Sequence, residues 1–332
     1  MKTGTINRTR KSHLMAVSIA ILLLSGACNK SEGIAPGGGT GFETTEAPGV
    51  LYIKQGREGI TRFDLATGTV TNVIPHWLDA GWDISRDGSF GVKQVNESTY
   101  DTRYMIFSTA SGAVIREVRY QPNDNHGGLP LISPDGTKLA LQPEYEDGLV
   151  ILDMNGNVLH NISGYGTHEF KWLDDISWEP GGTILFKKDN ELWRTTTDFS
   201  RATRVCSIPF DDWTGYAAAS PDGQKLAVSA GNHIYLMNSD GSAFRAVTES
   251  DQREVAPAFS PDSKYIAMKA NSRAPMQGDA AGNAFHICII PADGQVYRVW
   301  PGEDNRVIHP MVAGEPSSRG LGKTIVGDFV WR

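Results

Sequence analysis

Tyr216-Ala217-Ala218-Ala219-Ser220-Pro221-Asp222-Gly223-Gln224-Lys225-Leu226-Ala227-Val228 reads as a β-hairpin with its turn written out. Pro presets the second turn position, Asp accepts bonds from nearby backbone amides, and Gly takes a positive φ where a side chain would clash. The apolar stretches on either side read as two strands, A and B. The same turn recurs as Ser85-Arg86-Asp87-Gly88, Ser133-Pro134-Asp135-Gly136, Glu179-Pro180-Gly181-Gly182 and Ser260-Pro261-Asp262-Ser263, with starts 48, 46, 41 and 40 residues apart.

A third strand C follows in each unit: Gly59 to Leu65, Arg103 to Ser108, Leu149 to Met154, Glu191 to Thr195, His233 to Met237 and Phe285 to Ile290. A second turn comes next, as in Asn155-Gly156, Asp240-Gly241 and Asp293-Gly294. Strand D then closes the unit, as Val158 to Ile162, Phe244 to Val247 and Val296 to Val299. Four antiparallel strands at this period describe one blade of a β-propeller, and blades bury their faces by stacking radially. Strand C occurs six times and the A–B turn five times. The first unit starts at strand B, Val50 to Lys54, and the spare strand Lys323 to Trp331 supplies its A strand. The expectation is an all-β, six-bladed propeller of four-stranded blades, latched by its last strand, with seven blades as the alternative count. Closure removes the free edges that invite aggregation.

Ser220 to Val247, with Ile234-Tyr235-Leu236-Met237-Asn238-Ser239-Asp240-Gly241, resembles the WD40-like PD40 repeats of the TolB propeller. The resemblance runs from about residue 50 to 330 and implies the propeller fold. The chain lacks the separate N-terminal α/β domain of that family and carries a lipobox-like segment instead.

That segment opens the chain. Lys2, Arg8, Arg10 and Lys11 precede the apolar run Leu14 to Leu24, which is too short to span a bilayer and the right length for a signal peptide. Leu24-Ser25-Gly26-Ala27-Cys28 resembles the bacterial lipobox, in which the Cys thiol is acylated and the signal removed. Asn29 follows, where an Asp would resemble an inner-membrane retention signal. The reading is a signal peptide over 1–27, a lipid-anchored Gly/Ser/Pro tether over 28–48, and the propeller over 49–332, placed on the outer membrane facing the periplasm.

The full chain of 332 residues carries 31 basic and 38 acidic side chains. Without residues 1–27, which hold four bases and no acid, 27 basic residues face 38 acidic ones, a net charge of −11. No basic excess is available for a phosphate backbone, which excludes nucleic acid as a partner. Cys206 and Cys288 fall in non-adjacent units and are expected as separate thiols.

In a radial blade the A–B and C–D turns emerge on one face, and here they are short. The D–A and B–C connections emerge on the other and receive the insertions Asn96 to Thr102, Gln142 to Gly148 and Asn271 to Asn283. Binding surfaces concentrate on such loops. His76, His126, His168 and His309 each precede an A strand on this face, and Asp211, Asp212, Arg253 and Glu254 hold the same place in the other units. Glu169 adjoins His168, and Trp77 and Trp213 sit at D–A junctions where a ring can stack on a sugar or a partner protein. The acidic group Glu144, Glu146 and Asp147 reads as a solvated loop tip.

No Gly-x-Ser-x-Gly elbow, phosphate-cradling loop, Cys-x-x-Cys or His-Glu-x-x-His pair occurs, so no catalytic residue is assigned. The preferred reading is a non-enzymatic, membrane-tethered module that binds an envelope protein or a ligand through this face, without a cofactor. The alternative is a carbohydrate- or metal-binding propeller, lyase-like in outline, with a divalent ion held by His76, His126, His168 and His309.

Overall fold

The computed structural model describes residues 46–54, 59–75, 81–98, 101–123, 127–144, 147–172, 174–213, 215–251, 253–271, 285–311 and 329–332. Every repeat forms its own antiparallel sheet. Blade 1 contains β1 (Val50–Lys54), β2 (Gly59–Asp64) and β3 (Val70–Pro75). Blade 2 contains β4 (Trp82–Ile84), β5 (Phe90–Ser98), β6 (Asp101–Ser108) and β7 (Val114–Tyr120). Blade 3 contains β8 (Pro130–Ile132), β9 (Lys138–Glu144), β10 (Gly148–Asp153) and β11 (Val158–Ile162). A small hairpin follows, β12 (Gly164–Tyr165) with β13 (His168–Glu169).

Blade 4 contains β14 (Ile176–Trp178), β15 (Ile184–Lys188), β16 (Glu191–Thr195) and β17 (Ala202–Ser207). Blade 5 contains β18 (Ala217–Ala219), β19 (Lys225–Ala230), β20 (His233–Asn238) and β21 (Arg245–Ala246). Blade 6 contains β22 (Glu254–Phe259), β23 (Tyr265–Asn271) and β24 (Phe285–Pro291). The last strand, β25 (Phe329–Trp331), pairs antiparallel with β1 and completes blade 1 in the order β25-β1-β2-β3. The fold is the six-bladed propeller that the repeat count requires.

The turns explain why the repeat is so legible. The hydroxyls of Ser85, Ser133, Ser220 and Ser260 donate to the Asp two residues on, at 2.6–2.7 Å. The same hydroxyls accept the amides of Phe90, Lys138, Lys225 and Tyr265, which open strand B. The fourth position needs a left-handed backbone: Gly223 has φ 72° and Ser263, in its place in blade 6, has φ 65°. Ser263 offsets that strain by accepting the Asp222 amide of the neighbouring turn at 3.0 Å. In blade 4, Glu179 replaces the Ser and ties Thr183 and Arg194 into the turn.

Central strands are buried on both faces and outer strands are not, as β10 and β11 show. The apolar cores lie between blades. Val92, Tyr104 and Ile106 of blade 2 meet Leu139, Leu141 and Val150 of blade 3. Leu51, Ile53 and Phe63 of blade 1 meet Ala267, Ile287 and Ile289 of blade 6, with Phe329 and Trp331 in the same cluster. Burying a side chain such as Phe329 is worth about 1.5–3 kcal/mol, so the latch stabilises the seam directly.

Three expectations need correction. Val296 to Val299 is not strand D of blade 6. Instead Ile308 exchanges backbone bonds of 2.8 and 2.9 Å with Ile289 at that edge, while Tyr297 pairs with Val247 and Glu249 of blade 5. The reason is that β21 spans two residues only, leaving backbone beside it open, and Tyr297 and Val299 fill the core between blades 5 and 6. In their described parts the first two insertions are extensions of strands: residues 96–98 continue β5, Asp101 begins β6, and residues 142–144 continue β9. Asp147 is no solvated tip but 3% exposed, accepting the amide and side-chain nitrogen of Asn123. Cys206 and Cys288 are free thiols in blades 4 and 6. Residues 323–328 of the expected last strand and 272–283 of the third insertion lie outside the described residues, as does Glu146.

Arg332 extends the latch. It exchanges backbone bonds with Val50, and its guanidinium donates to the carbonyls of Ile84 and Ser85 and to Asp83 of blade 2. Asp83 is 6% exposed, and burial raises its pKa against the opposing pull of Arg332 and the amides of Ile132 and Ile84. Arg332→Ala strips the carboxylate of its counter-charge and is expected to lower the unfolding free energy by about 2 kcal/mol, read by urea denaturation. The turns set a second expectation. Burial works to raise the Asp135 carboxyl, but the Ser133 hydroxyl, Thr137 and Lys138 outweigh it and hold it at about 2. A depressed folded pKa stabilises above the unfolded carboxylate range near 4 and is lost as pH falls toward 2. The stability gap between wild type and Asp135→Asn should therefore shrink between pH 5 and pH 2 in acid-titrated melts.

Candidate functional site

The inner strands of all six blades surround a central cavity of about 810 Å³. Its two ends differ because different connections meet there. At the A–B end the second turn residues point inward: Pro134, Pro180, Pro221 and Pro261 line the cavity. Blade 2 has Arg86 at this position, and its guanidinium reaches three blades round the ring to donate to the Pro221 carbonyl. Arg86 thus crosses the axis at that end. Burial, then the nearby charge of Arg332, lowers its pKa.

The opposite end, made by D–A and B–C connections, is polar and chargeable. Gln142, Asp175, Asp212, Asn232, Arg253 and Lys269 line it, with the Gln142 side chain donating to Asp175 at 3.1 Å. Asp212 is held by the Gly231 amide at 2.9 Å. Arg253 is exposed.

A second pocket of about 360 Å³ opens beside this end, between blades 5 and 6. It is lined by Asn232, His233, Ser250, Asp251, Arg253 and Asn271, so Asn232 and Arg253 border both spaces. Beneath it lies Glu254, 0% exposed. Its carboxylate accepts from Ser250, from Thr248 at 3.0 Å and, with His233 Nδ1, forms a contact of 2.8 Å. Thr248 also accepts the Ile234 amide, and Ser229 donates to the Glu254 carbonyl. A buried carboxylate survives only with such a set of donors. The arrangement fixes the His233 ring from its Nδ1 side at the edge of the pocket.

The expected site residues divide clearly. Asp212 and Arg253 line the cavity, and Glu254 lies buried just below Arg253. Trp213 is a core residue, 1% exposed, with Lys187 stacked over its ring at 5.4 Å, so it offers no face to a ligand. Asp211 accepts from the Asn190 side chain at 3.0 Å and does not line the cavity. His168 stacks on Phe186 at 5.4 Å and meets the edge of Phe170, and burial lowers its pKa. Glu169 beside it is exposed. His309 packs against His286 in blade 6. His168 and His309 therefore have separate surroundings, while His76, Trp77 and His126 lie outside the described residues, as does Cys28. Among the described residues no three His, Cys, Asp or Glu side chains are grouped to hold a metal ion.

Sequence reasoning missed His233 and Arg86. His233 looked like a strand residue because its partner is set by the blade 5–blade 6 register. Arg86 did leave a signal, the single Arg where the other turns carry Pro.

No family model matches the chain. Among solved structures, a putative TolB from Agrobacterium tumefaciens superposes with a TM-score of 0.54 at 16% identity, over 76% of this chain and 87% of that one. TolB from Acinetobacter baumannii gives 0.53 at 16% identity, over 74% of this chain and 62% of that one. The likeness establishes the TolB-type propeller fold.

Replacing Glu254 by Ala removes the buried acceptor shared by Thr248 and His233. The expected loss is about 2–4 kcal/mol of unfolding free energy, and about half of that for Glu254→Gln, which keeps one acceptor oxygen. Urea melts of both variants check the ratio.

Proposed function

We propose that this chain is a membrane-tethered propeller that acts as an interaction module in a bacterial cell envelope. It takes a protein or ligand at the D–A/B–C end of its central cavity. The observation that carries this reading is the asymmetry of the cavity: prolines and the crossing Arg86 at one end, a set of polar and charged side chains with an adjoining pocket at the other. Loops held on a rigid ring suit recognition, and no nucleophile or phosphate-binding motif supplies chemistry.

Gly49 and Val50 lie at the other, A–B end, where the Leu65 amide bonds to Gly49 and Trp331 Nε1 donates to the Pro48 carbonyl at 2.9 Å. Asn29 after Cys28 supports an outer-membrane address facing the periplasm. The polar pocket around His233 and Arg253 favours, as a second reading, a small polar ligand such as a carbohydrate; a nucleic acid partner is disfavoured by the net charge.

Site-specific photo-crosslinking in the native envelope tests the proposal. A crosslinker at Asp212 or Arg253 should trap a discrete partner, and one at Asp153 or Asp240 on the C–D turns should not. Cys28→Ser should abolish labelling by radioactive palmitate and release the chain from membranes. Crosslinks from the turn side only, or unchanged membrane attachment of the Cys28→Ser chain, would overturn it.

A further inference from the structure

We propose that His286 and His309 form a two-histidine site for a divalent transition-metal ion of the zinc–copper class on the outer part of blade 6. The proposal stands on groups that the interaction reading leaves unused. His286 is the second residue of β24, and His309 follows Ile308, the residue bridged to Ile289. Antiparallel register puts residue 309 opposite residue 288, and so diagonal to residue 286 on the same face of the sheet.

The two rings lie 5.6 Å apart, with planes at 40°. A tetrahedral ion bonded to two imidazole nitrogens at about 2.1 Å holds the ring centres roughly 5–6 Å apart. The observed spacing is that of two rings poised on one ion.

The nitrogens themselves carry the argument. Nε2 of His286 and both ring nitrogens of His309 are buried and have no hydrogen-bond partner. Native interiors seldom leave polar atoms so, and an ion that takes one nitrogen from each ring would satisfy one unpartnered atom on each. The backbone of Val299 serves as a hydrogen-bond partner for His286. With Nε2 unpartnered, that bond belongs to Nδ1, and the neutral ring then keeps the Nε2 lone pair free to ligate. A ring nitrogen tied to a carbonyl while the other faces a metal is the usual support of a histidine ligand.

Trp300 packs its ring edge-on to His286 at 5.8 Å and closes one side. Cys288 is not a third ligand: its thiol packs in the blade 5–blade 6 core against the Met268 carbonyl, and no three ligating side chains are grouped among the described residues. Two imidazoles without a thiolate or carboxylate suit zinc, copper or nickel rather than calcium or magnesium. The remaining coordination positions are open to water or to a donor from a bound molecule.

The test uses the full chain in detergent, without a polyhistidine tag. Titration calorimetry with zinc chloride should give one equivalent of bound ion, and His286→Asn and His309→Asn should each weaken binding at least ten-fold. His160→Asn, in blade 3, should leave it unchanged. A readout free of variants is copper with ascorbate, which oxidises ligating histidines: peptide mass spectrometry should find the oxidation at His286 and His309. No stoichiometric zinc or copper, binding that survives in the His286→Asn/His309→Asn double variant, or oxidation confined to other histidines would each overturn the proposal and assign the space to water.

Discussion

The pairing of β25 with β1 is the constraint on which the rest of the molecule depends. A ring of sheets has two raw edges until its ends meet, and here the meeting joins residues more than 270 positions apart. Closing so long a loop costs conformational entropy that no single hydrogen bond repays. The return comes from several sources acting at one seam: three paired residues, the Val50–Arg332 backbone bonds, the Trp331 indole on Pro48, and the apolar core shared with blade 6. Arg332 then carries the seam onward to Asp83 in blade 2. The latch therefore couples blade 6, blade 1 and blade 2, not merely the two halves of one sheet.

From that closure follows the division of labour between the ends of the cavity. Once the inner strands stand side by side, the second residue of each A–B turn points at the axis, and its identity decides what that end looks like. Four prolines narrow it without adding charge, and the single Arg spans it. The same strands at their other ends bring together connections from different blades, so Asp212, Asn232 and Arg253 become neighbours of one space although their repeats are separate in sequence. Glu254 shows how far this convergence is built into the frame: one carboxylate at the start of blade 6 gathers donors from blade 5 and the connection that follows it, and fixes the wall of the adjoining pocket.

The parts of the structure legible in the sequence are those with local causes. Ser-Pro-Asp-Gly turns, the period-two strands and the spare strand at the end need only neighbours along the chain, and they yield six blades and the latch. Val296 to Val299 misled because apolar alternation looks the same whether a segment faces its own blade or the next one. Trp213 misled for a related reason: a junction residue is exposed or buried according to what the adjacent blade places over it, here Lys187. His286 and His309 were invisible as a pair, since their proximity depends on the long-range bridge of Ile308 to Ile289. Arg86 was visible as a departure from the repeat, but its target on the far side of the ring exists only after closure.

Hydrogen–deuterium exchange at single-residue resolution tests the central claim most directly. If the latch holds the ring, the amides of Val50 and Arg332, which bond to each other's carbonyls, exchange only with global unfolding, at the same slow rate as the core strands β10 and β23. Exchange of Val50 and Arg332 at the rate of an unstructured peptide, while those core strands stay protected, would show a propeller that stands without its latch and would contradict the account.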